Sequence, residues 1–300
     1  MKARKSKSAF WKEYGLPFLA CFAVAGVFLF LINPFEEFRK IPAVAIVLSP
    51  HFDDGVLSLG GFMSESPAPV VVATLFAENP SEKIRSHWDT ISGFASSAEA
   101  VAARTEENKL ALERVGAHPL NLRYLDLQYR YGKNSAPREQ IVQSVKKDIE
   151  IAIEAFSTAK EISIYGPAEF GSGITHPDHK IVHDAFTEVA REKSGAKNIR
   201  FFYFEDFPYV ANFRNSTTTP LITFLEQENG GVSLRETPLS LTNAALDKKI
   251  QAIDAYSSQD KAFSALGENI SAAAKTFAEN RCKKLEPLWN ACEVVYEIKN

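Results

Sequence analysis

Apolar positions along this chain fall into three patterns. The first is an uninterrupted run of 17 uncharged residues, Leu16 to Ile32. At ~1.5 Å per residue it spans roughly 25 Å as a helix, close to the ~30 Å hydrocarbon core of a bilayer. Lys2, Arg4, Lys5, Lys7 and Lys12 precede it, with Trp11 and Tyr14 on one flank and Phe35 and Phe38 on the other. Those flanks suit a single-pass anchor whose basic end stays in the cytoplasm and whose remainder, after Asn33, lies outside. A cleaved signal peptide is the rival reading. The only small-x-small triplet, Ala23-Val24-Ala25, sits inside the run rather than at its end, and the run is longer than a usual signal core. A buried core helix leaves the basic leader unexplained.

The second pattern is short and continuous. Ala43 to Leu48, Val70 to Phe76, Ile162 to Tyr165 and Ile199 to Phe204 are dense in β-branched and aromatic residues and read as buried strands. The third is periodic. Glu99 to Val115, Gln140 to Phe156, Asp178 to Arg191 and Ala244 to Tyr256 carry apolar residues at three-to-four spacing, and Gly116 suits a helix stop. Fully apolar strands alternating with amphipathic helices predict a mostly parallel sheet with helices on both faces. The expected organisation is a basic tail over 1–15, an anchor over 16–32, a linker over 33–41 and one α/β domain over 42–300. The stretch from Phe207 to Pro238 yields no clear element beyond a loop at Asn215 to Pro220.

With 45% hydrophobic and 24% charged residues, disorder is excluded. A net charge of −3 without a basic stripe argues against a nucleic-acid partner. Cys21 lies in the apolar run. Cys282 and Cys292, ten apart, read either as a disulfide of an extracytoplasmic domain or as two unrelated thiols.

Two short motifs carry candidate chemistry. Ser49-Pro50-His51-Phe52-Asp53-Asp54-Gly55 follows the first strand directly, where α/β sheets bind ligands. His51 and Asp54, three apart, can face one way and offer an imidazole and a carboxylate to a zinc-like ion. Asp53 between them can serve a bound water as general base. Taken alone, the paired Asp also read as helix N-caps. Thr175-His176-Pro177-Asp178-His179 follows the third strand and a Gly-containing loop, with Pro177 at a first helical position. Taken alone, it also reads as an exposed helix start. Together the motifs lie past strand ends on one sheet edge. His51, Asp54 and His179 would then supply three ligands and leave a fourth position open, the pattern of a catalytic site. Of the other histidines, His87 and His118 read as surface residues and His183 as part of a solvated helix face.

The stretch Ser49 to Gly61 (SPHFDDGVLSLGG) and the His176-Pro-Asp-His179 motif resemble the two metal signatures of the PIG-L/LmbE-like de-N-acetylases. Arg104, Glu107, Ala111 and Gly116 match that family's helix after the second strand, and Lys249 to Gln259 its late Lys…Ser-Gln segment. The resemblance runs from about Pro42 to Asp260. It implies a Rossmann-like sheet and a zinc-type site for Zn²⁺ or another divalent cation, held by His51, Asp54 and His179. It also implies Asp53 as general base, His176 as oxyanion stabiliser or proton donor with Asp178 beside it, and Arg104 and Asp126 on substrate hydroxyls. The expected partner is an N-acetylated sugar or glycolipid, and the expected reaction is removal of its N-acetyl group. One departure stands out. Gly55 occupies a position where the signature usually has an acid, which questions any hydrogen bond that acid would make to a ligand.

Two other classes compete. A catalytically degenerate glycan- or partner-binding protein would keep the metal site without turnover. A serine hydrolase would need a G-x-S-x-G elbow, which Phe170-Gly-Ser-Gly-Ile174 does not supply.

Overall fold

The computed structural model describes residues 42–80, 84–130, 136–171, 175–216, 219–265 and 269–299. The anchor expected over 16–32 lies outside these residues. Among the described residues no helix is long and apolar enough to cross a membrane.

Seven strands form one sheet in the order β3-β2-β1-β4-β5-β7-β6. β1 (Ala43–Ser49), β2 (Val70–Thr74), β3 (His118–Asn121), β4 (Glu161–Pro167) and β5 (Ile199–Phe204) pair in parallel. β6 (Leu234–Leu241) and β7 (Ala291–Ile298) close the other end as antiparallel strands. The expected mostly parallel sheet is therefore present, with an antiparallel end that the apolar pattern did not announce. β6 reads Leu-Arg-Glu-Thr-Pro-Leu-Ser-Leu and is half-exposed along most of its length. A proline and alternating polarity belong on an edge strand, where one row of backbone groups needs no partner.

β1 and β2 are buried almost throughout, so both sheet faces are covered. α1 (Asp54–Glu65), α3 (Ser97–Arg114), α8 (Asn243–Ile253) and α10 (Ile270–Leu285) pack together. α4 (Arg138–Ala155) packs against α5 (Pro177–Lys193). The short helices α2 (His87–Ile91), α6 (Tyr209–Ser216), α7 (Leu221–Glu228) and α9 (Ser257–Ala265) fill the connections. α3 is capped by Ser96, whose side chain accepts from the Glu99 N–H, and it ends before Gly116 at φ +70°. α4 buries Ile141, Val142, Val145, Ile149 and Ile153, one helical stripe.

From β1 the chain steps outward through β2 to β3, and from β4 it steps the other way to β5. The direction of winding reverses between β1 and β4. That switch point opens a crevice at the carboxyl ends of the two strands, and the two sequence motifs follow those two ends.

His183 departs from expectation. It is 5% exposed, not solvated: its Nδ1 lies 2.8 Å from the Pro167 carbonyl and its ring stacks on Tyr203. It ties α5 to the end of β4. Cys282 and Cys292 are both buried, and both are free thiols rather than a disulfide.

Candidate metal centre and catalytic cavity

Past the end of β1 the chain turns sharply before α1. The Ser49 hydroxyl donates to the His51 carbonyl at 2.5 Å and accepts from the Gly55 N–H at 2.9 Å, folding the loop over itself. Asp54 Oδ2 accepts from the His51 N–H at 2.7 Å. Asp53 occupies the N-cap position, yet its side chain makes no capping hydrogen bond. The capping account of this acidic pair therefore fails for Asp53, whose carboxylate lines a cavity instead.

The second motif arrives from β4. Pro177 starts α5 and His176 is its N-cap, with Nδ1 accepting the Asp178 N–H at 3.2 Å. His179 lies on the first turn and is fully buried. Three donor atoms meet here. His51 Nδ1 is 3.2 Å from Asp54 Oδ2, His179 Nε2 is 3.1 Å from the same oxygen, and the two nitrogens are 3.2 Å apart. Ligands of a tetrahedral zinc at about 2.0–2.1 Å stand roughly 3.3–3.4 Å from one another. A nearly equilateral triangle of two imidazole nitrogens and one carboxylate oxygen fits such an ion in size and chemistry.

Each imidazole is held from behind. Asp206, fully buried two residues past β5, lies 2.5 Å from His179 Nδ1. Asp178 Oδ2 lies 3.2 Å from His51 Nε2. Asp178 itself accepts from the Leu127 N–H at 2.9 Å and pairs with Arg130. Carboxylates in these places fix ring orientation and raise ligand basicity. The structure thus puts Asp178 behind His51, fully buried and outside the cavity lining. Sequence reasoning missed Asp206 and Arg130. The sequence does carry a signal for Asp206: it follows β5 as His51 follows β1.

The electrostatics follow from burial and neighbours. Burial works to lower the pKa of both imidazoles, but surrounding carboxylates outweigh it. Asp126, Asp178 and Asp54 hold His51 well above its ordinary value, and Asp206 and Asp54 raise His179 to about 10. Asp54 goes the other way. Despite burial, His179 and His51 hold its carboxyl well below the usual range. Burial first, and the Asp54 charge second, push Asp53 up to about 7. Burial and the nearby His51 lower His176 to about 4. His176 is therefore a neutral imidazole, and because Nδ1 accepts a backbone N–H, the proton sits on Nε2.

Asp53, His51, Asp54 and His176 share one cavity of about 1060 Å³. Arg104 and Asp126 line it too. Arg104 is 3% exposed, donates to the Tyr129 hydroxyl at 3.2 Å and pairs with Asp89 at 3.2 Å; its Nε has no hydrogen-bond partner. Asp126 accepts from the Gln128 N–H at 3.0 Å, and its Oδ1 is 3.9 Å from His51 Nε2. Tyr209, also missed from sequence, packs edge-on against His179 with ring centroids 4.7 Å apart and lines the cavity. Gly55 does not line it. A Cβ there would meet the Ser49 Oγ at 3.2 Å and Val72 Cγ1 at 3.4 Å, so the position faces the sheet. The absence of an acid at this position therefore removes no group from the cavity lining.

The sequence profile of the PIG-L family, GlcNAc-PI de-N-acetylase, matches residues 46–190, a span that holds both motifs. No curated protein matches the sequence. Among solved structures, the zinc-inhibited form of the teicoplanin deacetylase Orf2 superposes with a TM-score of 0.66 at 23% identity, covering 85% of this chain and 97% of that one. An N,N'-diacetylchitobiose deacetylase from Pyrococcus horikoshii gives 0.50 at 16% identity, covering 99% and 95%. The 4-carboxy-2-hydroxymuconate hydratase GalB from Pseudomonas putida gives 0.52 at 16% identity, covering 86% and 97%. At these identities the likeness is one of fold, and a hydratase among the matches means that fold alone does not choose the reaction.

Proposed function

We propose, on the match of residues 46–190 to the PIG-L family profile, that this chain is a metal-dependent de-N-acetylase acting on an N-acetylglucosamine-type sugar or glycolipid. The observation that carries the reading is the 3.1–3.2 Å triangle of His51 Nδ1, Asp54 Oδ2 and His179 Nε2, with Asp53 in the same cavity. A divalent cation bound there, Zn²⁺ or a similar ion, supplies Lewis-acid polarisation of an amide carbonyl and a lowered pKa for water.

The chain's own groups carry the remaining work. Asp53 takes the proton from the attacking water, and a carboxylate near pKa 7 is matched to that task at neutral pH. His176 faces the same cavity with its Nε2–H free to donate to the oxygen of the tetrahedral intermediate. It acts as a neutral donor, its pKa held down by burial and the nearby His51. Proton return to the leaving amine then falls to Asp53, which holds the proton it has just received. In this reading Arg104 and Asp126, which line the same cavity, bind substrate hydroxyls. The products are acetate and a free amine.

The deacetylases of teicoplanin and of diacetylchitobiose share the fold, which favours an acetylated amino sugar as the substrate class. The basic leader and apolar run ahead of residue 33 support an anchored enzyme with its catalytic domain outside the cytoplasm.

Incubating the protein with Zn²⁺ and a panel of N-acetylated sugars and glycolipids tests the reading. Acetate release should appear, stop on chelation and return with Zn²⁺. Asp53→Ala should keep the metal and lose roughly 10²–10⁴-fold in turnover. Turnover that survives chelation, or an Asp53→Ala variant as fast as the parent, overturns the proposal.

A further inference from the structure

The helix of a single turn, α2, does more than fill a connection. It opens with a capping box: the Ser86 side chain accepts the Asp89 N–H at 2.9 Å, and Asp89 Oδ2 accepts the Ser86 N–H at 3.1 Å. Capping asks for one carboxylate oxygen and no burial. Asp89 is nonetheless fully buried, and its other oxygen is engaged elsewhere. Oδ1 accepts the Tyr129 hydroxyl at 2.8 Å and stands 3.2 Å from Arg104 Nη2. The same Tyr129 hydroxyl accepts from Arg104 Nη1 at 3.2 Å. The guanidinium is thus met at both terminal nitrogens, while its buried Nε has no hydrogen-bond partner. Arg104 and Tyr129 line the cavity, and Asp89 lies behind them.

The start of α2 reaches Asp126 as well. Ser86 Oγ donates to Gln128 Oε1 at 2.6 Å, and Gln128 Nε2 donates to Asp126 Oδ2 at 2.5 Å. One short element therefore backs two cavity-lining groups that the proposed reaction assigns to substrate hydroxyls.

A buried ion pair is weak evidence for stability, because apolar side chains of similar volume often serve a core as well or better. This pair stands at the edge of a cavity, where a fixed cation has a use. An arginine held in advance loses no rotamer freedom when a ligand arrives. We infer that Asp89 is a positioning residue for substrate recognition: directly and through Tyr129 it fixes the Arg104 guanidinium, so that a sugar hydroxyl meets a donor already in place. Asp89 itself touches no substrate. The inference rests on the de-N-acetylase reading for what Arg104 meets.

The test uses the purified full-length protein and four sugars, methyl N-acetyl-β-glucosaminide and its 3-, 4- and 6-deoxy analogues. Dissociation constants are measured by calorimetry in EDTA, so that binding is read without turnover. Acetate is measured in parallel samples with Zn²⁺. A hydrogen bond from a charged donor is worth roughly tenfold or more in affinity, so the parent should bind at least one deoxy analogue about tenfold more weakly than the full sugar. In Asp89→Asn that difference should shrink to about twofold or less, because the full sugar loses affinity and the deoxy analogue does not. With Zn²⁺ the loss should fall on KM and leave kcat within about twofold. If that variant does not fold, Tyr129→Phe serves in its place: it leaves the capping box intact and should shrink the same difference. A parent that binds all four sugars alike or binds none, or a difference untouched by both substitutions, overturns the inference. So does a uniform loss across the four sugars together with a fall in Tm, which would make Asp89 a helix cap and nothing more. Acetate release with the difference untouched removes the positioning role and leaves the de-N-acetylase reading. A lost difference without acetate in any sample leaves the positioning role and removes that reading.

Discussion

Asp206 offers no atom to the three-donor triangle, but it lies directly behind one of its imidazoles. His179 can present Nε2 to an ion only if Nδ1 carries the proton, and Asp206 at 2.5 Å fixes that tautomer. Both groups are fully buried, so no water can take over the bond. Asp206→Ala should weaken Zn²⁺ affinity by roughly 10–100-fold, read by competition with a fluorescent chelator. Turnover should recover substantially at saturating Zn²⁺, which separates loss of a positioning group from loss of a catalytic one. An unchanged affinity would mean that the ring is oriented by packing against Tyr209 alone. Asp178 and Arg130 do for His51 what Asp206 does for His179, with one difference. The Arg130 charge offsets the Asp178 carboxylate, whereas among the described residues Asp206 is in ion-pair contact with no cation but the His179 imidazole.

At the level of elements, the loop carrying His51, Asp53 and Asp54 is only as well placed as the helix that follows it. α1 is kinked at Leu59 (φ −126°, ψ 19°), and the kink frees backbone donors within a buried helix. Glu293 on β7 accepts the Gly61 and Phe62 N–H groups at 2.9 and 2.7 Å, and Lys249 on α8 answers its charge at 2.6 Å. The pair is almost fully buried. Lys249→Met should therefore cost about 3–5 kcal/mol by leaving Glu293 uncompensated. The double variant Lys249→Met/Glu293→Gln should recover part of that loss in urea titrations. If the single change costs under about 1 kcal/mol, the pair does not secure the kink. Little of this was legible beforehand. Lys249 could be found only through the Lys…Ser-Gln resemblance, and its partner lies in a strand that the apolar pattern did not reveal. β1, β2, β4 and β5 were legible because strands covered on both faces are dense in apolar residues. β6 and β7 were not, because an antiparallel end tolerates polar alternation and Pro238. His51, Asp53, Asp54, His176 and His179 were legible because each motif is short and lies next to a readable strand end. Asp206 and Arg130 stand alone among ordinary residues, and only the folded chain brings them to the histidines.

Across the whole molecule, the triangle couples acidity, cation binding and stability. His179 is raised to about 10 and His51 stands well above 6.5, so both carry protons in the fold at neutral pH. A group whose pKa is raised by folding contributes stability that is fully present below its unfolded value. That contribution is lost as pH climbs through the folded value. For His179 the window runs from about 6.5 to about 10, and for His51 it opens at the same lower bound. Asp53, raised to about 7, adds a loss of the same sign that is complete near neutrality. Asp54 is depressed, so its contribution fades only in acid below the ordinary carboxylate range. Between pH 6.5 and 9 these terms agree: the chelated protein should become less stable as pH rises. A cation bound at the triangle would take the place of those protons, and its apparent affinity should rise about tenfold per pH unit for each proton displaced. Stabilisation by a bound ligand grows with the logarithm of its concentration over Kd. The gain in Tm on adding buffered Zn²⁺ to the chelated protein should therefore be larger at pH 8.5 than at pH 6.5. Scanning calorimetry at fixed free Zn²⁺ measures it. In His179→Gln both the gain and its pH dependence should shrink sharply, because that change removes a donor and a displaced proton together. A gain that is flat with pH, or one that survives His179→Gln intact, would place the cation elsewhere on the molecule and leave the two motifs without a shared ion.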